Sequence, residues 1–281
     1  MITLVVDAQG LGYRSFHSLG GLTDGITFGF LSSILQLGER YRTNQFVFCW
    51  DAGGSKRKEV SPEYKASRDD LTPEEKDKRA ILHLQFNALR KELLPMVGFM
   101  NQFFQYGYEA DDLIASAVIN NPYIPFVVVS ADHDLFQLLQ YHNCKAQCLL
   151  SKKPDMTSAR FLAEYRIPAR KWDIIKAIAG CPGDGVKGVA GVGESTAIKH
   201  LLDELPISGR KSQEICQSQA RIYFNYKLVR LPYPDVKKGV IKPDQLSEET
   251  MFQAFSDLGF ESFLADKQKQ RWINFIEGEW K

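Results

Sequence analysis

The chain has 281 residues, of which 44% are hydrophobic and 12% aromatic, so it holds enough apolar material for a sizeable core. Lysine and arginine (35) nearly balance aspartate and glutamate (34), and a net charge of +1 by itself argues against a nucleic-acid partner. The sequence has no membrane-length apolar run, no signal-peptide pattern and no CxxC pair among its five cysteines, so we expect a cytoplasmic monomer with reduced thiols and no membrane contact.

The first 155 residues predict strands that alternate with helices. Short apolar runs typical of buried strands occupy 2–7, 45–51, 101–106, 125–132 and 145–151. Helical spacing is found at 26–41, 73–97 and 110–119. This alternation predicts an α/β fold with a mostly parallel sheet covered by helices on both faces. From about residue 157 the pattern is helical, with short turns that contain Gly and Pro, and we therefore expect a boundary near residue 155.

Acidic residues recur at the ends of the predicted strands. The set consists of Asp7, Asp51, Glu109, Asp111, Asp112, Asp132, Asp134 and Asp184. Parallel strands present their carboxyl ends at one edge of a sheet, so these side chains should converge there. Carboxylates that converge repel one another, and hard cations such as Mg²⁺ or Mn²⁺ relieve that repulsion. Two such ions can promote hydrolysis of a phosphodiester.

Any one of these acids is equally well explained as a helix cap or a turn residue. A metal site is favoured because the same placement recurs on several separate elements. If the eight acids are set aside as metal ligands, lysine and arginine clearly outnumber the remaining acids. That positive charge is compatible with a nucleic-acid partner. The five histidines lack the HExxH spacing, and neither a GxSxG turn nor a P-loop is present.

A series of short motifs resembles a known family. VVDAQGLGYR, WDAGG, SPEYKASRD, YEADDLIA, SADHDLFQL and GDGVKGVAGVGESTA follow one another between about residues 2 and 205. The series resembles the bacterial and bacteriophage flap endonucleases, which are related to the 5′-nuclease domain of DNA polymerase I. The resemblance implies a PIN-like α/β domain at 1–155 with a helical arch at about 56–97. It also implies a helical region at 156–281 with a DNA-binding element like a helix-hairpin-helix at about 171–205.

The same resemblance implies a structure-specific nuclease that cleaves DNA at 5′ flaps and 5′ ends with divalent metal ions. By matched position, a first metal site would use Asp7, Asp51, Glu109, Asp111, Asp112 and Asp132. A second metal site would use Asp134 and Asp184. Lys65 and Arg68 match the basic pair that holds the scissile phosphate. Where the family usually has another acid, this chain has Cys181, so the second site departs from the family pattern.

The resemblance further implies positions that contact DNA. Tyr64 would offer a stacking surface, and Arg14 would lie near the 5′ end of the substrate. The hairpin glycines Gly188, Gly191 and Gly193 would hold duplex DNA, often with a bound K⁺ in the family. A DNA polymerase partner would be a separate chain.

Two alternatives stay open at the level of sequence. One is a catalytically weakened protein that recognises branched DNA without cutting it, which Cys181 favours and the complete first acid set opposes. The other is a PIN-type ribonuclease, which the chain length, the arch segment and the glycine hairpin oppose.

Overall fold

The computed structural model describes residues 1–18, 25–66, 72–151 and 153–280. Its centre is a five-stranded sheet that consists of β1 (Thr3–Asp7), β2 (Phe46–Trp50), β3 (Gln102–Phe104), β4 (Phe126–Val129) and β5 (Cys144–Cys148). The strand order is β3-β2-β1-β4-β5, and every neighbouring pair is parallel. The five predicted strands and the parallel sheet are thus confirmed, although each strand is shorter than its apolar run.

Helices cover both faces of the sheet. They are α1 (Ala8–Ser18), α2 (Gly25–Tyr41), α3 (Lys56–Val60), α4 (Pro73–Ala88), α5 (Leu94–Met96), α6 (Ala110–Asn120), α7 (Ser158–Tyr165), α8 (Trp172–Ala179), α9 (Glu194–Leu201), α10 (Arg210–Gln217), α11 (Gln219–Val229), α12 (Glu248–Asp257), α13 (Glu261–Leu264) and α14 (Asp266–Glu277). Alternate residues of β1 enter different cores: Leu4 and Val6 pack under α1 and α2, and Val5 packs under α6. In the described part of the chain, every helix is too short or too polar to cross a membrane.

The last three helices complete the core that lies against α1 and α2. Their buried side chains include Met251, Phe255, Trp272 and Phe275, which share one cluster with residues of β1 and β2. Packing is close, because a Cβ added to Gly38 of α2 would lie 2.3 Å from the Phe275 ring. The other core likewise joins sheet residues to Phe161 and Trp172. Each core therefore contains residues from before and after residue 155. The sequence changes character near this position, but the two parts of the chain pack into the same cores.

The predicted arch segment begins at α3 and continues through α4 and α5. Thr72 caps α4 by accepting a hydrogen bond from the backbone N–H of Glu75, whose side chain accepts one from the backbone N–H of Thr72. The single helix predicted at 73–97 is instead interrupted by a π-helical turn at Leu89–Leu93. Pro95 follows this turn and has no backbone N–H to continue the regular ladder, which accounts for the change of pitch.

The C-terminal region is less helical than the sequence predicted. Residues 230–247, hereafter the strap, form neither helix nor strand. Three prolines, Pro232, Pro234 and Pro243, remove backbone donors and disfavour helical geometry in the residues before them. The strap runs beside the β3 edge, where Lys242 and Asn101 exchange two hydrogen bonds of 2.8 Å. The strap therefore covers an edge strand that the rest of the sheet leaves unpaired.

Candidate active site

Four of the predicted acids meet at the carboxyl edge of the sheet. Asp7 is the last residue of β1, Asp51 directly follows β2, and Asp132 follows β4. Asp111 lies in the first turn of α6, the helix that begins after β3. Local hydrogen bonds orient two of the carboxylates: Asp7 Oδ1 accepts from the N–H of Gly10 at 2.8 Å, and Asp51 Oδ1 accepts from the N–H of Ala110 at 2.7 Å. Sheet topology thus brings together acids that are far apart in sequence.

The electrostatics of these acids reflect their mutual proximity. Burial, together with repulsion from the Asp51 and Asp132 carboxylates, raises the pKa of Asp7 to about 7. Burial also raises the pKa of Asp111 well above its ordinary value, with further contributions from Asp132 and Asp7. The ionised forms are therefore costly without a cation, and binding of one there would restore them.

The donor chemistry of this edge fits a hard divalent ion, because every contributing atom is a carboxylate oxygen. The side-chain arrangement is more open than a closed coordination shell. Within residues 1–18, 25–66, 72–151 and 153–280, no three His, Cys, Asp or Glu side chains stand close enough to ligate one ion together. Binding would consequently require the carboxylates to turn towards the ion.

A second acidic group contains a lysine that sequence analysis missed. Lys176 of α8 extends its Nζ to 2.8 Å from Asp134 Oδ1 and 2.9 Å from Glu194 Oε1. The Cys181 thiol donates to Asp134 Oδ2 at 3.6 Å. Burial and the neighbouring Asp134 carboxylate raise the pKa of Cys181, which keeps the thiol neutral. Burial also raises the pKa of Asp134, although Lys176 opposes this rise. An ammonium group therefore already neutralises this carboxylate.

Lys65 lies between two further predicted acids, Glu109 and Asp184. Its Nζ is 2.8 Å from Glu109 Oε2 and 3.8 Å from Asp184 Oδ1, and its backbone N–H donates to the Asp184 carbonyl at 2.8 Å. Burial opposes ionisation of Glu109, but the Lys65 ammonium and Arg57 together lower its pKa. The foot of the arch segment thus docks on the loop that carries Asp184. Arg68 lies outside the described residues.

Two predicted site residues occupy different environments from those expected. Asp112 is fully buried, and its two carboxylate oxygens accept hydrogen bonds of 2.6 and 2.7 Å from Arg57. Asp112 is thus engaged in a buried ion pair, where the sequence analysis predicted a metal ligand. Tyr64 is only 4% exposed, and its hydroxyl donates to Glu109 Oε2 at 2.9 Å. Because its ring is enclosed, Tyr64 has no free face for stacking on a base.

The predicted hairpin element consists of α8, a two-residue strand pair at 180–181 and 186–187, and α9. Gly188 passes so close to Ala179 that a Cβ would lie 2.0 Å from its carbonyl oxygen. Gly191 adopts φ +67°, and a Cβ on Gly191 or Gly193 would meet open space, so the backbone there is accessible. Arg14 of α1 is exposed, and its guanidinium donates to the Leu150 carbonyl beyond β5.

Comparison with known proteins assigns the sequence to a family. The family model of the 5′-3′ exonuclease N-terminal, resolvase-like domain covers residues 2–166. The chain belongs to the 5′-3′ exonuclease family. DNA polymerase I of Pseudomonas aeruginosa is 25% identical over 293 residues, which include 94% of this chain and 31% of that protein. The chain thus spans less than a third of that relative's length.

Solved structures share the fold of this 5′-3′ exonuclease family member. The T5 D15 protein co-crystallised with metal ions superposes with a TM-score of 0.72 at 24% identity, over 83% of this chain and 90% of that one. The bacteriophage T5 D15 flap endonuclease, in a pseudo-enzyme-product complex with DNA and metal ions, covers 99% of both chains with a TM-score of 0.67 and 22% identity.

The geometry identifies residues of this exonuclease family member that sequence analysis did not single out. Arg57 joins Asp112 to the C-terminal end of α11, because its Nε donates to the Leu228 carbonyl at 2.8 Å. Lys176 belongs to the amphipathic helix before the hairpin, where a lone lysine gives no signal of its role. For Arg57 the available signal was weak, because the arch segment already contains many basic residues.

Proposed function

We propose that this chain is a structure-specific 5′-nuclease that hydrolyses phosphodiesters at DNA 5′ flaps and 5′ ends with Mg²⁺ or Mn²⁺. The observation that supports this most directly is the group of Asp7, Asp51, Asp111 and Asp132 at the carboxyl edge of the sheet. Burial and mutual repulsion raise the pKa of Asp7 and Asp111, and divalent cations neutralise such groups while attracting a phosphate.

In this proposal Asp7, Asp51, Asp111 and Asp132 hold the first metal ion, and Asp134 and Asp184 contribute to a second. Bound ions would supply Lewis-acid chemistry, polarising the phosphate and lowering the pKa of water. The protein itself orients the reacting groups. Hydrogen bonds from the N–H groups of Gly10 and Ala110 fix two of the carboxylates before substrate arrives.

Lys65 and Arg68 are proposed to bind the scissile phosphate. Lys65 suits this role because its ammonium lies between two of the acids, 2.8 Å from Glu109 and 3.8 Å from Asp184. A bound phosphate would replace Glu109 as the ion-pair partner of Lys65. The Glu109 carboxylate would then be available to bind a cation. The charge that develops on the phosphate in the transition state strengthens the Lys65 contact.

The hairpin between α8 and α9 is proposed to hold the duplex next to the cleavage point. Its accessible backbone at Gly191 and Gly193 precedes the N-terminus of α9, where backbone N–H groups favour an anion. Carbonyl groups of the same turn would provide the K⁺ site. The T5 D15 complex with DNA and metal ions supports a DNA substrate for this fold.

One assay tests the proposed function and its alternatives together. Labelled 5′-flap DNA and single-stranded RNA are each incubated with the protein in Mg²⁺, in Mn²⁺ and in a chelator. Metal-dependent cleavage of the flap supports the nuclease, and flap binding without cleavage supports a branched-DNA-binding protein. The Lys176–Asp134 ion pair and Cys181 favour that alternative, since they reduce the acid available to a second metal. Cleavage of the RNA alone would identify a PIN-type ribonuclease.

Replacing Lys65 with Ala should slow the single-turnover cleavage rate by about a hundredfold while changing the Kd for flap DNA much less. The reason is that the contact strengthens as charge develops on the phosphate. Single-turnover rates and Kd values in Ca²⁺ measure the two effects separately. Lys76→Ala, in the exposed first turn of α4, serves as a control for loss of one arch cation. A variant with altered Kd but a normal single-turnover rate would contradict this role.

Replacing Cys181 with Asp should lower the Mg²⁺ concentration for half-maximal cleavage by about tenfold. The new carboxylate would add a third acid to Asp134 and Asp184. It would compensate for the ion pair in which Lys176 engages Asp134. The native protein should work better with Mn²⁺ than with Mg²⁺, because Mn²⁺ tolerates a weaker ligand set. Metal titrations of both proteins check this, with Cys216→Asp on the exposed surface as the control. Superimposable Mg²⁺ curves would remove position 181 from the metal site.

A further inference from the structure

A groove of about 540 Å³ lies between the β3 edge and the strap. This volume falls within the range of about 300–1,000 Å³ that is typical of ligand sites. Side chains at the two ends of β3 contact the backbone of the strap: the Asn101 amide donates to the Lys242 carbonyl, and the Gln105 side chain accepts from the N–H of Lys237, both at 2.8 Å. The space between these contacts stays open. The groove, hereafter the β3 groove, has as its principal lining residues Lys56, Phe103, Phe104, Tyr106, Lys237 and Lys238.

The β3 groove carries aromatic rings that face solvent. Tyr106 is 75% exposed and Phe104 is 42% exposed. The Arg90 guanidinium lies 3.9 Å from the centroid of the Phe104 ring, so this ring already holds a flat cationic group on one face. Exposed rings of this size hold apolar surface in unfavourable contact with water, and a planar partner that stacks on them would bury that surface.

The charge of the β3 groove is positive. Lys56, Lys237 and Lys238 line it, and no Asp or Glu does so among the residues that the structure describes. The whole chain has a net charge of only +1, so three lysines without a carboxylate around one groove indicate an anionic ligand. Rings interleaved with lysines are the combination that holds single-stranded nucleic acids, with bases on the rings and phosphates on the cations.

The β3 groove is continuous with the acidic edge of the sheet. Gly54 follows Asp51 by three residues, and a Cβ added to it would lie 2.9 Å from Cζ of Tyr106. Only the short Gly53–Gly54 turn therefore separates Asp51 from the Tyr106 ring. Lys56 continues the path, with its ammonium 5.0 Å from the centroid of the Tyr108 ring. A strand that leaves the carboxylates over this turn reaches the β3 groove directly.

We propose that the β3 groove binds single-stranded DNA, namely the displaced 5′ strand beyond the point of cleavage. This inference rests on the proposed function, since it gives the flap a path away from the acids. A peptide that adds to β3 as an extra strand is disfavoured, because the strap already runs along that edge. Flap length therefore becomes a determinant of affinity.

The test compares flaps of about 15 nucleotides with flaps of about 2 nucleotides on the same duplex. Fluorescence anisotropy in Ca²⁺ gives the Kd for each, and single-turnover cleavage in Mn²⁺ gives the rate. The native protein should bind the long flap about tenfold more tightly. Tyr106→Ala and the double variant Lys237→Glu/Lys238→Glu should abolish this difference. Both variants should bind the short flap as the native protein does.

Matched controls lie outside the β3 groove. Tyr123→Ala removes a ring that is 97% exposed before β4, at the opposite end of the strands, and Lys267→Glu/Lys269→Glu makes the same charge change on α14. Both controls should keep the preference for the long flap. A native protein that binds both flaps equally, or groove variants that keep the preference, would overturn the proposal.

The outcomes distinguish this proposal from the proposed function. Normal cleavage of both flaps with no effect of the groove variants refutes the β3 groove alone. Absence of cleavage on any flap, together with length-dependent binding that the groove variants abolish, refutes the nuclease and retains the groove as a binding site for single-stranded DNA.

Discussion

Replacing Asp7 with Asn is expected to lower the cleavage rate by about a thousandfold or more and, in the same variant, to stabilise the metal-free protein. The cleavage loss follows because the amide cannot neutralise a divalent ion. The amide keeps the local hydrogen bonds, since its oxygen still accepts from the N–H of Gly10 and its nitrogen can donate to Ser130 Oγ. What disappears is a buried charge that neighbouring carboxylates repel.

The stabilisation should depend on pH in a definite direction. Burial, followed by repulsion from Asp51, raises the pKa of Asp7 from 3.8 to about 7 in the folded protein. Ionisation of Asp7 therefore destabilises the folded state progressively as the pH rises from about 4 to about 7, and the full cost applies above that range. Asp7→Asn should gain nothing near pH 4 and at most about 4 kcal/mol at pH 8.

Urea unfolding in a chelator at several pH values measures this gain, and repetition in Mg²⁺ should reverse it, because the metal stabilises only the native protein. Asp244→Asn is the matched control. Burial raises the pKa of Asp244 to about 7 as well, but its oxygens accept from the N–H groups of Phe46 and Met100. That variant should lose stability and keep its cleavage rate. An Asp7→Asn protein that cuts normally would contradict the proposed metal site.

Replacing Arg57 with Met should lower the free energy of unfolding by about 3–5 kcal/mol. Arg57 is 4% exposed and Asp112 is fully buried, so loss of the guanidinium leaves an uncompensated carboxylate in the interior. The variant also loses the bond from Nε to the Leu228 carbonyl, which joins α3 to α11. The double variant Arg57→Met/Asp112→Asn should recover part of the loss, since no buried charge then remains.

Denaturant unfolding of the single and double variants provides the measurement. Arg271→Met is the control, because Arg271 makes a similar two-pronged contact of 2.6 and 2.7 Å with Glu39 at the surface. Its loss should cost no more than about 1 kcal/mol. Equal losses for Arg57→Met and Arg271→Met would show that burial of the Asp112 pair has no special energetic weight.

The sequence predicted the sheet well because short apolar runs that end in acids are a local signal. The runs around Val5, Val47 and Val128 became strands, and the convergence of Asp7, Asp51 and Asp132 follows from parallel topology alone. The strap was not predicted, since its prolines indicate only the absence of helix. Its position along β3 depends on long-range contacts such as that between Asn101 and Lys242.

Within the site, the sequence could indicate which residues are acidic but not which cation each one meets. Asp111 and Asp112 are adjacent in the first turn of α6, yet one faces the acidic group and the other pairs with Arg57. Helical geometry turns consecutive side chains by about 100°, so neighbours in sequence diverge in space. The same limitation applies to Lys176, whose role depends on the fold that brings α8 to Asp134.

The C-terminal helices that complete the core have a consequence for synthesis on the ribosome. β1 is made first and lies at the centre of the sheet, but the aromatic surface beside it is not covered until Trp272 and Phe275 have been translated. Translation proceeds at about 5–20 residues per second, so an apolar face of the early strands stays exposed on the order of tens of seconds. Slow codons in the stretch that encodes α12 to α14 should therefore increase aggregation more than slow codons in the arch segment.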